Sequence, residues 1–313
     1  MFQKGAILLF LAVVVHKVIG EKGCPEREEI SPCTCREMFL GQPKLTCKEI
    51  TQVDTLKTVF QNARRYRLTQ FTLVNSTLQY IPHEVFDDVK VKNLEFEKVT
   101  FVKTFDKIPE NPGVVTIKLT EVRVIGGWDW SKLSLFKQLR DLTISDIPMK
   151  RLSSDFRPNI SKKLEKLRLS WCKVKKLRDD EFQEFKDLEV FVATHDELTT
   201  LKRTMFARPS KLKELGLEYN RISSIPANMF EDMPYLDFLG LSHNQLTFLP
   251  IETYRPVIDH LTYLRLVDNP LRCDCLIQWL TFKKVPNLYG ECATPLKFEG
   301  KDLNDLKPQD FRC

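Results

Sequence analysis

Glycine and proline are scarce in this chain of 313 residues, which has 11 Gly and 17 Pro. This scarcity excludes collagen-like and other fibrous structures, and a hydrophobic content of 42% excludes a disordered chain. The sequence contains no Gly-x-Ser-x-Gly, no His-Glu-x-x-His and no glycine-rich phosphate loop. We therefore expect a globular protein that is not an enzyme and that has no cofactor.

A strong excess of one charge is also missing. The 48 basic and 42 acidic residues give a net charge of +6, and two of the cations, Lys4 and Lys17, lie in a leader that we expect to be removed. The remaining chain has 48 − 2 = 46 basic residues and a net charge of 46 − 42 = +4. This weak and dispersed balance argues against a nucleic-acid-binding protein.

Long apolar runs are absent beyond the first 20 residues. Residues 1–20 begin with one cation, continue with an apolar run from Ala6 to Val15, and end in Val18-Ile19-Gly20. A run of about 10 residues cannot cross a bilayer core, which needs roughly 20. The pattern predicts a secretory signal peptide over 1–20 and a secreted, extracellular mature protein that does not insert into a membrane.

Cysteines form two groups of four at the ends of the mature chain, with Cys172 alone between them. The groups are Cys24, Cys33, Cys35 and Cys47, and Cys273, Cys275, Cys292 and Cys313. In an oxidising compartment, two such groups predict two small disulfide-bonded modules. Each has a Cys-x-Cys rather than the Cys-x2-4-Cys typical of zinc, so we expect no metal, and counting leaves three pairings open for each group.

Between the cysteine groups the sequence repeats every 23 to 25 residues. Two clear copies of L-x-x-L-x-L-x-x-N run from Leu212 to Asn220 and from Leu236 to Asn244. This pattern is typical of the leucine-rich repeat. Nine copies are predicted, and they start at Leu68, Val91, Val114, Leu139, Leu164, Leu188, Leu212, Leu236 and Leu261.

One copy cannot bury its own apolar residues, so the copies must stack. The predicted fold is an α/β repeat, a curved leucine-rich-repeat solenoid with a parallel sheet on its concave side. The ninth residue of each copy points inward, where Asn can pair with backbone groups, as expected for Asn220, Asn244 and Asn269. Earlier copies have other residues there: Ser76, Val99, Val122, Ile147, Cys172 and Asp196. We therefore expect a less regular N-terminal half and a buried free thiol at Cys172.

A stacked array exposes apolar edges at both ends, and the cysteine groups occupy those ends. The predicted organisation is a signal peptide (1–20), an N-terminal cysteine-rich cap (21–67), the repeats (68–268) and a C-terminal cysteine-rich flanking cap (269–313).

Both cysteine groups resemble the caps of extracellular leucine-rich-repeat proteins, a class that includes Slit-type domains, Toll-like ectodomains, small leucine-rich proteoglycans and variable lymphocyte receptors. The C-terminal match rests on residues 269–275 (NPLRCDC), followed by Trp279 and two later cysteines. The resemblance implies the disulfides Cys24–Cys35, Cys33–Cys47, Cys273–Cys292 and Cys275–Cys313. The opening segment, the length and the repeat count are also similar to arthropod secreted proteins related to the non-catalytic leucine-rich subunit of shrimp luciferase, which implies a scaffold role.

The non-consensus strand residues face the concave side and predict a binding surface there. Four consecutive eighth residues, from Trp171 to His243, are expected to stack, and Gly216 and Gly240 to leave a shallow trough. The predicted ligand-binding residues are Trp171, Val190, Val192, His195, Gly216, Tyr219, Phe238, Gly240, His243 and Tyr263. Such a patch marks an interface when it is exposed, and the alternative is that the rings only cover the sheet.

Charged residues add a rim and a second candidate site. Glu218, Arg168 and Arg265 are expected at the polar rim of the concave patch. Residues 162–178 contain eight cations and one acid, which suits a sulfated glycan, although a solvated basic face is the simpler interpretation. His195 and His243 lie two copies apart, roughly 10 Å, which is too far to share one zinc ion.

Two sequons, at Asn75 and Asn159, predict N-linked glycans. Asn159 is expected in a surface loop. A glycan at Asn75 would keep partners away from the N-terminal concave face, so we expect the working surface in the C-terminal half.

The sequence thus predicts a secreted binding or scaffold protein, a monomer or a subunit of a hetero-complex, that recognises an extracellular protein through its concave face. The alternative is a glycan- or surface-pattern-binding protein of innate defence or of the matrix.

Overall fold

The structure is a computed structural model that describes residues 23–38, 41–87, 89, 91–106 and 113–313. The predicted signal peptide, residues 1–20, lies outside the described residues. Within the described ranges, no helix combines the length and the apolar content that a membrane crossing requires.

Thirteen strands of the described residues form one sheet. The strands are β1 (Thr34–Met38), β2 (Gln42–Lys48), β3 (Gln70–Leu78), β4 (Asn93–Phe101), β5 (Thr116–Thr120), β6 (Arg123–Val124), β7 (Asp141–Ser145), β8 (Lys166–Ser170), β9 (Val190–Thr194), β10 (Glu214–Gly216), β11 (Phe238–Gly240), β12 (Tyr263–Arg265) and β13 (Asn287–Tyr289). They lie side by side in chain order, except that β5 pairs directly with β7 and the two-residue β6 pairs with β4. The pairs are parallel apart from β1 with β2, as a chain that returns to the same face after each copy requires.

The segments that return from one strand to the next contain short helices. The α-helices are α1 (Val53–Ala63), α2 (Glu84–Asp87), α3 (Phe156–Asn159) and α4 (Ile251–Tyr254), and 3₁₀ turns cover Trp130–Leu135, Arg203–Met205, Gln278–Thr281, Leu296–Phe298, Leu303–Asp305 and Pro308–Asp310. In α1, Leu56, Phe60 and Ala63 are buried at helical spacing, so one face of this helix covers the first strands. The Phe60 and Phe71 rings lie 4.9 Å apart there.

The core lies between the sheet and the return segments. In β8, Leu167 and Leu169 are fully buried, whereas the residues on either side of them are half-exposed, so one face of the strand is inside. The late phenylalanines of successive copies are also buried, and the Phe182 and Phe206 ring centroids lie 5.6 Å apart. The leucines and phenylalanines therefore fill one continuous core along the array.

Four disulfides close the two ends of the array. They join Cys24 to Cys35, Cys33 to Cys47, Cys273 to Cys292 and Cys275 to Cys313, the pairs that the family resemblance implies. The sheet runs through both caps, because β2 pairs in parallel with β3 and β13 pairs in parallel with β12. Each cap therefore contributes a strand to the concave surface, and antiparallel β1 covers the first parallel edge.

Asparagine side chains pair the buried backbone in the C-terminal copies. The Asn244 Oδ1 accepts a hydrogen bond from the Ile222 N–H at 3.0 Å, and its Nδ2 donates to three carbonyl oxygens at 2.9, 3.1 and 3.2 Å. Asn220 and Asn269 repeat this arrangement one copy earlier and one copy later. We call these three residues the asparagine ladder.

The N-terminal copies use longer strands in place of the ladder. The apolar ninth residues Val99, Val122 and Ile147 are buried and offer the backbone no polar partner. Here β3 and β4 have nine residues each and stay paired as far as Leu78 and Phe101. In β3 and β4, strand pairing therefore satisfies backbone groups that the ladder satisfies in the C-terminal half, and the Ser76 Oγ also accepts from the Ile50 N–H at 2.9 Å. The expected irregularity is a change in the way the backbone is paired.

Cys172 and Asp196 occupy the ninth place between these two regions. Cys172 is fully buried, and this burial raises the pKa of its thiol to about 12, so it behaves as a small apolar residue. The Asp196 Oδ1 accepts from the Val174 N–H at 3.0 Å, as the asparagines do, but its buried Oδ2 has no hydrogen-bond donor. Burial raises the pKa of Asp196 to about 6.

Candidate binding site on the concave face

The eighth residue of each copy adopts the left-handed backbone conformation. The φ angles are 46° at Asn75, 55° at Lys98, 53° at Glu121, 57° at Asp146, 59° at Trp171, 55° at His195, 58° at Tyr219, 55° at His243 and 54° at Asp268. This conformation is unfavourable for residues other than glycine, so neighbouring copies must stabilise it. The Tyr219 N–H, for example, donates to the Ser242 carbonyl oxygen at 3.0 Å. The repeated geometry places these nine side chains in one column.

Four rings stack in this column. The ring centroids of Trp171 and His195 lie 4.0 Å apart, those of His195 and Tyr219 4.0 Å, and those of Tyr219 and His243 3.9 Å. The ring planes are within 18° of parallel. Trp171 is 54% exposed and Tyr219 43% exposed, so the stack packs against itself and still presents apolar surface to solvent. We call these four residues the ring stack.

The ring stack keeps its two imidazoles apart. The Tyr219 ring lies between His195 and His243, so the two histidines face opposite sides of one phenol. Burial, with a smaller effect of His243, lowers the pKa of His195 and favours its neutral form. His243 Nδ1 lies 3.1 Å from the Asp268 carboxylate, which ends the stack on that side.

A hollow of about 700 Å³ lies beside the ring stack. It is lined by Val192, Thr194, His195, Glu214, Gly216, Glu218, Tyr219, Phe238, Ser242, His243, Arg265, Val267 and Tyr289. These residues come from five consecutive strands and the turns that follow them, β9 to β13. The hollow therefore extends from the repeats into the C-terminal cap.

Six of the ten residues predicted for ligand binding line the hollow. They are Val192, His195, Gly216, Tyr219, Phe238 and His243. Of the others, Trp171 lies at the far end of the ring stack, and Val190 is only 8% exposed. The ring centroid of Tyr263 lies 5.9 Å from that of Phe238, and Tyr263 does not line the hollow. Gly240 lies beneath the side chain of Glu218.

The trough predicted at the two glycines is occupied by Glu218, which was expected at the rim. A Cβ atom on Gly240 would lie 2.1 Å from the Glu218 Oε1, and one on Gly216 would lie 3.2 Å from its Oε2. The carboxylate therefore rests on the bare backbone of these two glycines. Desolvation is the largest cause that raises the pKa of Glu218, and it is opposed mainly by its own backbone and Arg265.

Several lining residues were not predicted. Tyr289 belongs to β13, which pairs with β12, and it was missed because the cap was treated as separate from the sheet. Glu214 was missed because only apolar residues were selected from the third positions, although the same register places it between Val190 and Phe238. A comparison of the residues at each strand position in all copies, including the cap, would have identified both Tyr289 and Glu214.

Comparison with known proteins bears on the fold. Residues 194–246 match the family described as leucine rich repeat. This match spans two asparagines of the ladder and much of the hollow. The chain folds as a leucine-rich-repeat solenoid.

Among the proteins similar to this chain, two show the extent of the likeness. The Oplophorus-luciferin 2-monooxygenase non-catalytic subunit of Oplophorus gracilirostris is 24% identical over an alignment of 329 residues, which covers 93% of this chain and 88% of the relative. This relative confirms the resemblance that the sequence predicts. A chain in the octameric complex of Latrophilin 3, Unc5D and FLRT2 is 20% identical, with a TM-score of 0.48, and the likeness covers 77% of this solenoid and 89% of that chain.

Half of the cations in the basic cluster at 162–178 form ion pairs in the solenoid. Four of its eight cations form ion pairs: Lys162 with Glu184, Arg168 with Asp141, Lys175 with Glu197, and Arg178 with Glu181. Arg168 pairs with Asp141 at 3.7 Å and does not line the hollow, so its predicted place at the rim of the concave patch stays a prediction. The cluster does not form one uniform cationic patch.

The two sequons differ in their surroundings. Asn75 is exposed in the eighth-residue column. Asn159 was expected in a loop, but it ends the short helix α3, is half-buried, and donates from its Nδ2 to the Asp155 carbonyl oxygen at 2.8 Å. The sequon residue Ser161 is buried as well.

One cluster with metal-ligand side chains occurs in the described ranges, away from the hollow. His83 Nδ1 lies 3.0 Å from the Asp106 carboxylate and 3.3 Å from the Glu84 carboxylate. The Asp106 Oδ1 also accepts from the His83 backbone N–H at 3.1 Å. These contacts explain the cluster as a hydrogen-bonded histidine that links two copies.

Proposed function

We propose that this solenoid is a secreted, non-enzymatic binding or scaffold protein that recognises an extracellular protein through the C-terminal half of its concave face. The observation that carries the proposal is the exposed ring stack beside a hollow of about 700 Å³. The relative from Oplophorus is described as a non-catalytic subunit, and this agrees with the absence of catalytic motifs from the sequence.

The ring stack has the properties of an interface anchor. Trp and Tyr are enriched among the residues that contribute most to protein–protein binding. The stacking fixes each ring before a partner arrives, so little side-chain entropy remains to be lost on binding. Trp171 and Tyr219 thus offer apolar surface that is both exposed and rigid.

The class of partner and the compartment follow from two observations. Four disulfides are typical of proteins that fold in an oxidising compartment, which supports secretion. The relative is one subunit of a larger assembly, which supports a protein partner in a hetero-complex for this chain as well.

Affinity capture from the extracellular fluid of the source tests the proposal. The bait is the mature protein, compared with a Trp171→Arg/Tyr219→Arg variant. We expect one discrete partner with the native bait and its loss with the variant, because two bulky cations would break the ring stack and cover the hollow.

The matched control places the same side chains in the same column of the N-terminal half, as Asn75→Arg/Glu121→Arg. Both variants must show the native circular dichroism spectrum. Retention of the partner by the control and its loss from the ring-stack variant locates the interface. If the ring-stack variant retains the partner, the concave-face proposal is wrong.

The alternative, recognition of a sulfated glycan, is favoured by one specific feature. A second hollow of about 380 Å³ is lined by Arg151, Lys176 and Arg178 with two serines. In the described chain, Arg178 is paired with Glu181, whereas Arg151 and Lys176 have no ion pair. Retention on immobilised heparin should then fall in an Arg151→Ala/Lys176→Ala variant and weaken with salt. Equal elution of variant and native protein would exclude this site.

A further inference from the structure

We propose that the hollow receives an arginine side chain of the partner and that its guanidinium pairs with the carboxylate of Glu218. This inference rests on the proposed function, because it concerns the same surface. It adds the chemistry of the contact: a basic side chain that enters the hollow between the ring stack and Arg265.

Glu218 is a carboxylate that forms no ion pair. It is half-buried, and in the part of the chain that the structure describes no side chain forms an ion pair or a hydrogen bond with it. A desolvated carboxylate without a partner is unfavourable, and the raised pKa of Glu218 reflects this cost. A cation that arrives with a partner would remove that cost.

The sheet provides a dedicated place for this carboxylate. Gly216 and Gly240 are register neighbours on β10 and β11, and a larger residue at Gly240 would displace the Glu218 carboxylate, whereas one at Gly216 would contact it tightly. Two adjacent glycines on one strand face weaken the sheet, because glycine has no side chain to pack. Here they allow an acidic group to lie flat on the floor of the hollow.

The charge of the hollow favours a cation. Glu214 and Glu218 both line it, and Arg265 is the one arginine or lysine in the lining. Arg265 forms no ion pair with either acid and acts on Glu218 only from a distance, because its guanidinium lies over the Phe238 ring at 5.0 Å and 5.9 Å from the Tyr289 ring. The lining therefore holds two carboxylates and one guanidinium, and it contains no lysine.

The walls favour arginine over lysine. A guanidinium is planar, binds a carboxylate with two parallel hydrogen bonds, and stacks on aromatic faces, whereas an ammonium group acts as a point charge. Phe238 and Tyr219 line the same hollow as Glu218 and provide aromatic surface there. Arg265 shows that a guanidinium is accommodated on rings in this hollow.

Selection of random peptides tests the inference without knowledge of the natural partner. A displayed heptapeptide library is selected against the native protein and, in parallel, against Glu218→Gln, which keeps the size of the side chain. We expect arginine to be enriched at one position with the native protein only. A synthetic peptide from that pool should lose about tenfold in affinity when this arginine is replaced by citrulline or when Glu218→Gln is the target.

Two further variants make the outcome decisive. Glu252→Gln removes an exposed carboxylate from α4, outside the hollow, and should leave peptide affinity unchanged. Tyr219→Arg should abolish binding of the selected peptides. If the peptides require Tyr219 but show no arginine preference, or bind Glu218→Gln equally, the arginine inference is wrong and the concave-face proposal stands. If the peptides bind Tyr219→Arg as well as the native protein, both fail.

Discussion

In the C-terminal half of the sheet, three asparagines pair the backbone of neighbouring copies, and the strands β10, β11 and β12 have three residues each. In the N-terminal half, Val99 and Val122 occupy the same inward place, and β3 and β4 extend to nine residues. Buried backbone groups next to the ninth residue are paired mainly by side chains in the C-terminal half and by extended strand pairing at β3 and β4 in the N-terminal half. The solenoid therefore tolerates loss of its consensus asparagine wherever strand pairing continues past the eighth residue.

The concave surfaces of the two halves differ in a second way. The eighth-residue column begins with Asn75, continues with the exposed ion pair of Lys98 and Glu121 at 3.8 Å, and reaches the ring stack only at Trp171. The backbone conformation is the same throughout, so the left-handed position dictates where a side chain points and leaves its chemistry free. The N-terminal and C-terminal halves thus share one backbone conformation in this column. They differ in the side chains that a binding partner can contact.

Loss of an asparagine from the ladder should have the largest effect on stability. Asn244→Ala leaves the Ile222 N–H without its acceptor in the core, and three carbonyl oxygens each lose one of their donors, so we expect a loss of about 3 kcal/mol. The matched change in the other half, Val99→Ala, removes only apolar contacts and should cost about 1–2 kcal/mol. Urea unfolding followed by circular dichroism measures both. Equal losses would mean that the two halves do not pair their backbone differently.

Asp196 lies where the two regions meet, and an amide there should extend the ladder. Burial raises the pKa of Asp196 in the folded protein from its ordinary value of 3.8 to about 6. The protonated side chain is neutral, so the contribution of Asp196 to stability is complete below pH 4 and is lost as the pH rises through 6. We expect Asp196→Asn to be more stable than the native protein by roughly 2–3 kcal/mol above pH 7.

The pH profile separates this explanation from a general benefit of the amide. The stability difference should be small near pH 4, should grow up to about pH 6, and should then stay constant. Glu197, the neighbouring carboxylate, contributes to the raised pKa of Asp196, so Glu197→Gln is the control and should lower that pKa slightly. A constant advantage of Asp196→Asn from pH 4 to pH 8 would show that the buried charge is not its cause.

Glycine substitutions in the eighth-residue column should separate the cost of the backbone from the gain of the stack. Tyr219→Gly relieves the left-handed conformation but removes two ring contacts, and we expect a net loss of about 1 kcal/mol. Asp146→Gly, in the polar half, loses no stacked ring and should gain about 0.5 kcal/mol. Thermal unfolding of the two variants beside the native protein provides the comparison. A gain for both would mean that the ring stack adds nothing to stability.

The repeats, the caps and the inward asparagines were predictable because each follows from a local pattern with a fixed period. Leu212 and Leu236 define the period, and the sheet then places Tyr219 beside His243 without further information. The stacking of four rings was predictable for the same reason. Neighbours on the sheet can be predicted from equivalent positions in successive copies, because parallel strands in register bring those residues together.

What the sequence did not reveal depends on contacts between copies or on backbone conformation. The left-handed φ at Trp171 has no signature in the sequence, since glycine is absent from the entire column. The position of Glu218 depends on a diagonal reach from its own copy onto Gly240 of the next one, which no single repeat encodes. The extension of the sheet by β13 depends on how the cap folds onto the last copy.

The smallest expected effect concerns N-linked glycans. They would change which part of the concave face a partner can reach, without changing the fold. We expect Asn75 to carry an N-linked glycan and Asn159 to remain unmodified when the protein is secreted from its own cells. The Asn75 side chain is exposed, whereas the Asn159 amide donates to Asp155 and its sequon hydroxyl, on Ser161, is buried. Mass spectra of the two tryptic peptides, before and after removal of N-glycans, measure the occupancy of each site.

A glycan at Asn75 would cover the polar column of the N-terminal half and leave the ring stack as the accessible part of the concave face. An unmodified Asn75 would remove this protection and require the N-terminal column to be tested for binding as well.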